Sequence, residues 1–204
     1  MCRLLLAQFK RPTQPRELLA RFAEMSKYSK ALDGDWQGDG WGLAWLTDTK
    51  EWHTRKSLSP IWDDTESFSH IPNTSICIAH ARSASFPQHK GIIEFNQPYL
   101  SGKYAYVFNG LLRGVTLSSL PGKIGAEKIW YLLQQELKNN NPQEALAKLK
   151  QLLIDSSKEI IALNIGLATN EKIYSLNYFT RNSEYYSLHH WVENDVTIIC
   201  SELL

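Results

Sequence analysis

Cysteine is scarce in this sequence: three residues, Cys2, Cys77 and Cys200, in a chain of 204. An odd, sparse set excludes a disulfide framework and fits a reducing compartment. Charge imbalance is missing too, since 22 basic against 21 acidic residues leave a net charge of +1. With no concentrated basic stripe there is no electrostatic footprint for nucleic acid. No apolar run approaches the roughly 18 residues of a membrane helix, and the N-terminal "LLLA" is too short for a secretory signal, so the expected location is cytoplasmic, with no membrane partner. The histidines show no metal-ligand spacing: His53, His70 and His89 stand apart, and the adjacent His189 and His190 would face opposite ways on a strand. Neither a metal nor a cofactor is expected. Low-complexity segments and internal repeats are absent as well.

What is present is a globular composition, 43% hydrophobic and 21% charged. The length suits one domain with a substantial core, expected to span residues 2–204 once Met1 is removed. "CRLLLAQF" reads as a buried strand closed by "KRPTQP". Leu18, Leu19, Phe22 and Met25 then fall at helical spacing after Pro15. "WGLAWLTD" and "EWHTRKSL" read as paired strands, "PIWDDTESF" as a short helix, and "TSICIAHARSAS" as a buried strand with a polar end. "GKYAYVFNGLL" reads as a strand ending at Asn109-Gly110. Two successive helices follow, the second with Asn141 as N-cap and Pro142 in its first position. "IIALNIGLAT", "KIYSLNYF", "EYYSLHH" and "DVTIICSEL" close the chain as strands. Strands in two groups, with helices after the first strand and between the groups, predict an α+β layered sandwich of antiparallel sheets.

Several residues carry chemical potential. Cys77 and Cys200 lie inside apolar runs and read as buried structural thiols. Cys77 and His80, three apart on a strand, face opposite sides and do not make a dyad. Cys2 differs, because cysteine is small enough for the initiator methionine before it to be trimmed. Its thiol would then carry its own base, an α-amine with a reference pKa of about 7.7–8.0. Otherwise Cys2 is merely a small apolar start to a strand. His80 and Arg82 share one strand face. An arginine ending an apolar strand needs a partner, either a structural acid or a substrate carboxylate held by its guanidinium fork. His80 alone reads as a satisfied core histidine. Asn109-Gly110 is a strong turn dipeptide. Between the apolar flanks "YAYVF" and "LL" it could instead offer a side-chain amide and an N–H to an oxyanion. "GDGWGLAW" packs three glycines and two tryptophans into eight residues. A tryptophan-lined sugar site competes there with core packing of Trp41 and Trp45 beneath a glycine loop.

The order of these signals is more specific than any one of them. Cysteine after the initiator methionine, then "DGWG", "HARSAS", "NQPYL" and "FNG", resembles the class-II glutamine amidotransferases, which are N-terminal-nucleophile hydrolases. The likeness is greatest to the small stand-alone members, including amidohydrolases of γ-glutamyl compounds. It runs from Cys2 to about Glu127, and "IICSEL" looks like the family's last strand. The resemblance implies a four-layer αββα sandwich. It implies Cys2 as nucleophile with its α-amine as general base and acid, and Asn109 and Gly110 as oxyanion donors. It also implies Arg82 as the carboxylate clamp, helped by Ser85 where the family more often has threonine, with His80 and Asn96 lining the same end. The expected substrate is a small-molecule amide, glutamine or a γ-glutamyl compound. With no synthase domain in the chain, nitrogen or the acyl group would go to a partner subunit or to water. One departure stands out. Where the family has an aspartate for the substrate's ammonium, two residues before a glutamate, this chain has Gly125 before Glu127. Asp33, Asp35 or Asp39 would have to replace it, or the substrate lacks that ammonium. Phe86 also stands where the family carries histidine or glycine. The alternative is a non-catalytic binding or regulatory module on the same fold.

Overall fold

The computed structural model describes residues 1–29, 36–117 and 119–204. Asp33 and Asp35 lie outside them. β1 (Arg3–Thr13) leads into α1 (Arg16–Tyr28), then β2 (Trp41–Leu46), β3 (Trp52–Ser57) and, after two short 3-10 turns, β4 (Thr74–Ala81). β5 (Tyr99–Ser101) and β6 (Tyr104–Arg113) precede α2 (Gly125–Leu137) and α3 (Pro142–Ser156). β7 (Glu159–Ala168), β8 (Ile173–Phe179), α4 (Ser183–Tyr186), β9 (His189–Glu193) and β10 (Val196–Cys200) complete the chain. Two antiparallel sheets result, ordered β3-β2-β4-β1-β10-β9 and β5-β6-β7-β8.

Residue parity assigns the layers, because alternate strand residues face opposite sides. In β1, Leu5, Ala7 and Phe9 pack outward against Leu18, Leu19 and Phe22 of α1. Leu4 and Leu6 pack inward with Ile76 and Ile78 of β4 against Ala105 and Val107 of β6. In the second sheet Tyr106, Phe108, Leu163 and Ile165 face Ile129, Leu133, Leu146 and Leu149 of the two long helices. The order is therefore helix, sheet, sheet, helices: the expected αββα sandwich. The predicted cap on α3 is present, with Asn141 Oδ1 accepting the N–H groups of Gln143 and Glu144 at 3.0 Å each.

Three local expectations are corrected. "KRPT" continues β1 rather than closing it. β6 does not end or turn at Asn109-Gly110 but runs on to Arg113, because Leu111 and Leu112 keep pairing with β7 across a register shift. "EYYSLHH" is not one strand. Asn182, at φ 55°, turns the chain into the four-residue α4, which buries Tyr185 and Tyr186 against Ile161 and Ala162, and pairing resumes only at His189.

Candidate active site

Parity also builds the site. Cys2 continues the inward series of Leu4 and Leu6, while His80 and Arg82 continue that of Ile76 and Ile78. β1 and β4 pair Leu4 with His80, which brings Cys2 beside the end of β4. On the facing sheet Asn109 continues the inward series of Ala105 and Val107. Four side chains, on three strands or one residue beyond their ends, therefore converge where the apolar layer between the sheets ends. Cys2, His80, Arg82, Ser85, Asn109 and Gly110 line one cavity of about 480 Å³, within the size range of small-molecule pockets.

The Cys2 thiol is seated on the Ser83 backbone. Its Sγ accepts the Ser83 N–H at 3.3 Å and lies 3.4 Å from the Ser83 carbonyl. Burial pushes this thiol up from its ordinary pKa, opposed by the N-terminal amine, the Ser83 backbone, Arg82 and Arg3. Burial likewise raises Cys77 and Cys200 to about 12, and both pack in the outer core, Cys77 on the face away from His80. Arg3, which the sequence reading did not single out, is fully buried. It donates to the Cys2 carbonyl at 3.1 Å, to Glu202 at 2.8 Å and to Ser29, beneath Tyr185.

Arg82 is 5% exposed and has no carboxylate partner among the described residues. Neutral acceptors hold its guanidinium: the His89 carbonyl at 2.7 Å, Asn96 Oδ1 at 3.3 Å and the Ile92 carbonyl at 3.4 Å, with the Phe95 ring beside it. A buried cation without a counter-charge is costly unless an anion arrives. Asn96 does not line the cavity. It lies behind Arg82, fully buried, with Nδ2 donating to the Ser57 carbonyl at 2.7 Å, and so positions the guanidinium. The "DGWG" loop makes room for it. A side chain at Gly40, whose φ is +114°, would meet Asn96 at 2.4 Å, and one at Gly42 would meet the Gln97 carbonyl at 2.2 Å. Trp41 is fully buried against Phe68, with Nε1 donating to Asp64, so core packing is its role.

Asp39 does not reach the cavity. Its carboxylate accepts the Ala84 N–H at 2.8 Å and pairs with Lys90 at 3.2 Å. Glu127 turns back to accept the N–H groups of Lys123 and Ile124 at the start of α2. Among the described residues no carboxylate lines the pocket.

Asn109 is 3% exposed, and its Oδ1 is buried without a hydrogen bond. Opposite it, Asn164 is satisfied by Asn177 at 2.6 Å and by the Tyr186 carbonyl at 2.7 Å, so the asparagine row across three strands leaves only its pocket-side member unpaired. β5 is so short that β6 has an open edge from Phe108 onward. Gln97 fills one step of it, its side chain bonding both the N–H and the carbonyl of Phe108. Gly110, two residues on, directs its N–H to that same edge. A side chain at 110 would strike the Ala162 carbonyl at 2.4 Å and the Phe108 ring at 2.7 Å, so glycine here answers close packing rather than a turn. His80 forms the buried floor. Burial, with Arg82 adding repulsion, lowers its pKa to about 3. The Phe108 backbone opposes the shift weakly without meeting hydrogen-bond geometry.

No protein-family model matches the sequence, and the comparison with curated proteins found no match. Solved structures are. One is a glutamine aminotransferase class-II domain protein from Silicibacter pomeroyi, at 13% identity over 98% of this chain and 88% of that one, with a TM-score of 0.64. A second is glutamine phosphoribosylpyrophosphate amidotransferase from B. subtilis, at 14% identity, 98% and 42% coverage and TM-score 0.67. A third is the allosteric regulatory enzyme of purine biosynthesis, at 17% identity, 98% and 42% coverage and TM-score 0.56. This chain spans less than half the length of the latter two. Identities this low establish architecture, and the architecture is that of the class-II glutamine amidotransferase domain.

Proposed function

We propose that this protein is a cysteine-dependent amide hydrolase or amidotransferase acting on glutamine or a γ-glutamyl-type amide through a thioester at Cys2. The observation that carries the reading is the convergence on one cavity of a thiol, a buried arginine with no carboxylate partner among the described residues, and an asparagine amide beside a strand-edge glycine. A non-catalytic module has no physical need for that combination, since a buried cation without a counter-charge is costly.

In the mechanism Met1 is removed and the freed α-amine of Cys2 takes the thiol proton. Sγ attacks the amide carbon. The developing oxyanion is received by the Asn109 side-chain amide and the Gly110 N–H, donors worth about 2.7–4 kcal/mol each in comparable sites. The intermediate collapses, the C–N bond breaks, and the departing nitrogen takes a proton from the α-ammonium. Water, deprotonated by the same amine, cleaves the thioester to release the acid and restore the thiol. Arg82, aided by Ser85, holds the substrate carboxylate, and Asn96 and Gln97 hold Arg82 and β6 in place.

Intact-mass measurement of purified protein should show loss of Met1. An electrophilic glutamine analogue should then label the wild type once and leave Cys2→Ala unlabelled. Labelling that survives the Cys2→Ala change, or a retained Met1 in a protein that turns over amides, removes the proposal.

A further inference from the structure

The cavity is larger and more apolar than a glutamine carboxamide needs, and its groups fall in a definite order along β6. Arg82 is tied through Asn96 to the segment whose next residue, Gln97, bonds Phe108, so the cation belongs to the Phe108 end. The oxyanion donors follow at Asn109 and Gly110. Beyond them, at about 3.3 Å per strand residue, the lining turns aliphatic: Leu112, Val115, Leu117, Leu120, Ile129 and Leu132. Val115 is 42% exposed, and Leu112, Leu117, Leu120 and Leu132 are only half-buried, so this wall presents apolar surface that a ligand would cover.

The charges are equally one-sided. Arg82, Lys123 and Lys128 line the cavity with no carboxylate beside them among the described residues, which do not include Asp33 and Asp35; Asp39 is paired with Lys90, and Glu127 accepts backbone N–H groups at the start of α2. Against this described lining a substrate ammonium would meet three cations, a juxtaposition that is unfavourable. At Gly125 nothing lies within 4 Å of where a side chain would begin, so the start of α2 has space for an acid.

We propose that the preferred substrate is an anionic amide whose acyl part carries a carboxylate but no neighbouring ammonium, and whose amide nitrogen bears a bulky apolar substituent that leaves along the aliphatic wall. This specificity rests on the amide-hydrolase reading above. Cys2 would form a glutaryl-type thioester at the Arg82 end, and an aryl- or alkylamine would depart at the α2 end with the proton delivered by the Cys2 α-amine.

The test crosses two variables with the Met1-free full-length protein. Glutamine, glutaramate, γ-glutamyl anilide and glutaryl anilide differ only in the α-amine and the N-substituent. Glutaryl anilide should show the highest kcat/KM. Removing the amine should raise kcat/KM roughly tenfold or more, and adding the ring should raise it by roughly ten- to a hundredfold. Gly125→Asp, which fits the open space and suits a helix N-terminus, should shift the ratio toward the amine-bearing pair. If Cys2 is acylated but glutamine is turned over as well as glutaryl anilide, the specificity proposal fails alone and the hydrolase reading stands. An amine ratio unmoved by Gly125→Asp overturns the ammonium argument. No acyl-enzyme with any of the four compounds, together with no labelling by the electrophilic analogue, overturns both.

Discussion

Replacing Asn109 with valine should make the protein more stable and much less active. The side chain lies on the inward face of β6, almost wholly buried, with its oxygen unpaired. Leaving such a group unsatisfied costs about 1–3 kcal/mol. Valine is close in size, favours strands and extends the apolar series of Ala105 and Val107. A net gain of about 1 kcal/mol after some loss of fit corresponds to a rise in Tm of about 2–4 °C for a chain of this length. Catalysis should move the opposite way. Loss of one oxyanion donor lowers kcat about 10²–10³-fold, with KM little changed, because the donor acts on charge that develops only in the transition state. Thermal and urea unfolding supply the first number, and steady-state amide hydrolysis supplies the second. A fall in Tm with kcat preserved would refute the reasoning, for it would mean that the amide belongs to the Asn164–Asn177 network as a structural member.

Arg82→Lys should keep the charge but lose the fork, raising KM for carboxylate-bearing amides by about tenfold or more, with a smaller effect on the corresponding carboxamides; charge-assisted bonds of about 1.5–3 kcal/mol set that scale. Gly40→Ala should lower both stability and kcat/KM although Gly40 does not line the pocket, since φ +114° and the Asn96 amide at 2.4 Å leave a methyl no room; unfolding should register about 1–3 kcal/mol. His80 should make the protein acid-sensitive. Its folded pKa, about 3, lies below its ordinary 6.5, so the unfolded chain binds a proton that the folded chain refuses, and stability falls as pH drops from 6.5 toward 3. Between pH 6.5 and 5 the wild type should lose about 2 kcal/mol more than His80→Gln by urea titration, and equal losses would show that another group carries the effect.

The layer order was legible because parity is strict. "CRLLLAQF" and "TSICIAHA" are apolar on both faces, as central strands of a double-covered sheet must be, and that made His80 and Arg82 readable as one-sided. Cys2 was legible by position. Asn109-Gly110 was read half correctly. The turn propensity of the dipeptide is real, but two leucines follow it rather than a polar break, and β7 pairing overrides local preference. Gln97 went unnoticed inside the same "NQPYL" that supplied Asn96, because nothing in a sequence marks which amide will bond a strand edge. Arg3 was hidden in the same way, since its partners Ser29 and Glu202 are 26 and 199 residues distant. "EYYSLHH" was misread because alternating aromatic and small residues look like a strand, whereas the two tyrosines are buried by a single helical turn.

What suits this edge of the fold to the proposed chemistry is the shortness of β5. A longer partner strand would consume the outward N–H and carbonyl groups of β6 up to its end, and Gly110 would have no donor to offer. With only Tyr99–Ser101 paired, the edge is exposed, a liability that sheets ordinarily cover. Here Gln97 satisfies Phe108 and stops, and the cis Gln97–Pro98 peptide joins that side chain to β5. The next free step, Gly110, faces the cavity that holds the thiol. Extending the cover by one step should therefore silence the site without unfolding the protein, whereas removing Gln97 should free the Phe108 groups and loosen both. The two operations separate an edge kept open for binding from an edge merely left unfinished: Gln97→Ala should lower stability by about 1–3 kcal/mol and kcat along with it, and a variant that loses stability while retaining full turnover would show that the edge plays no part in the reaction.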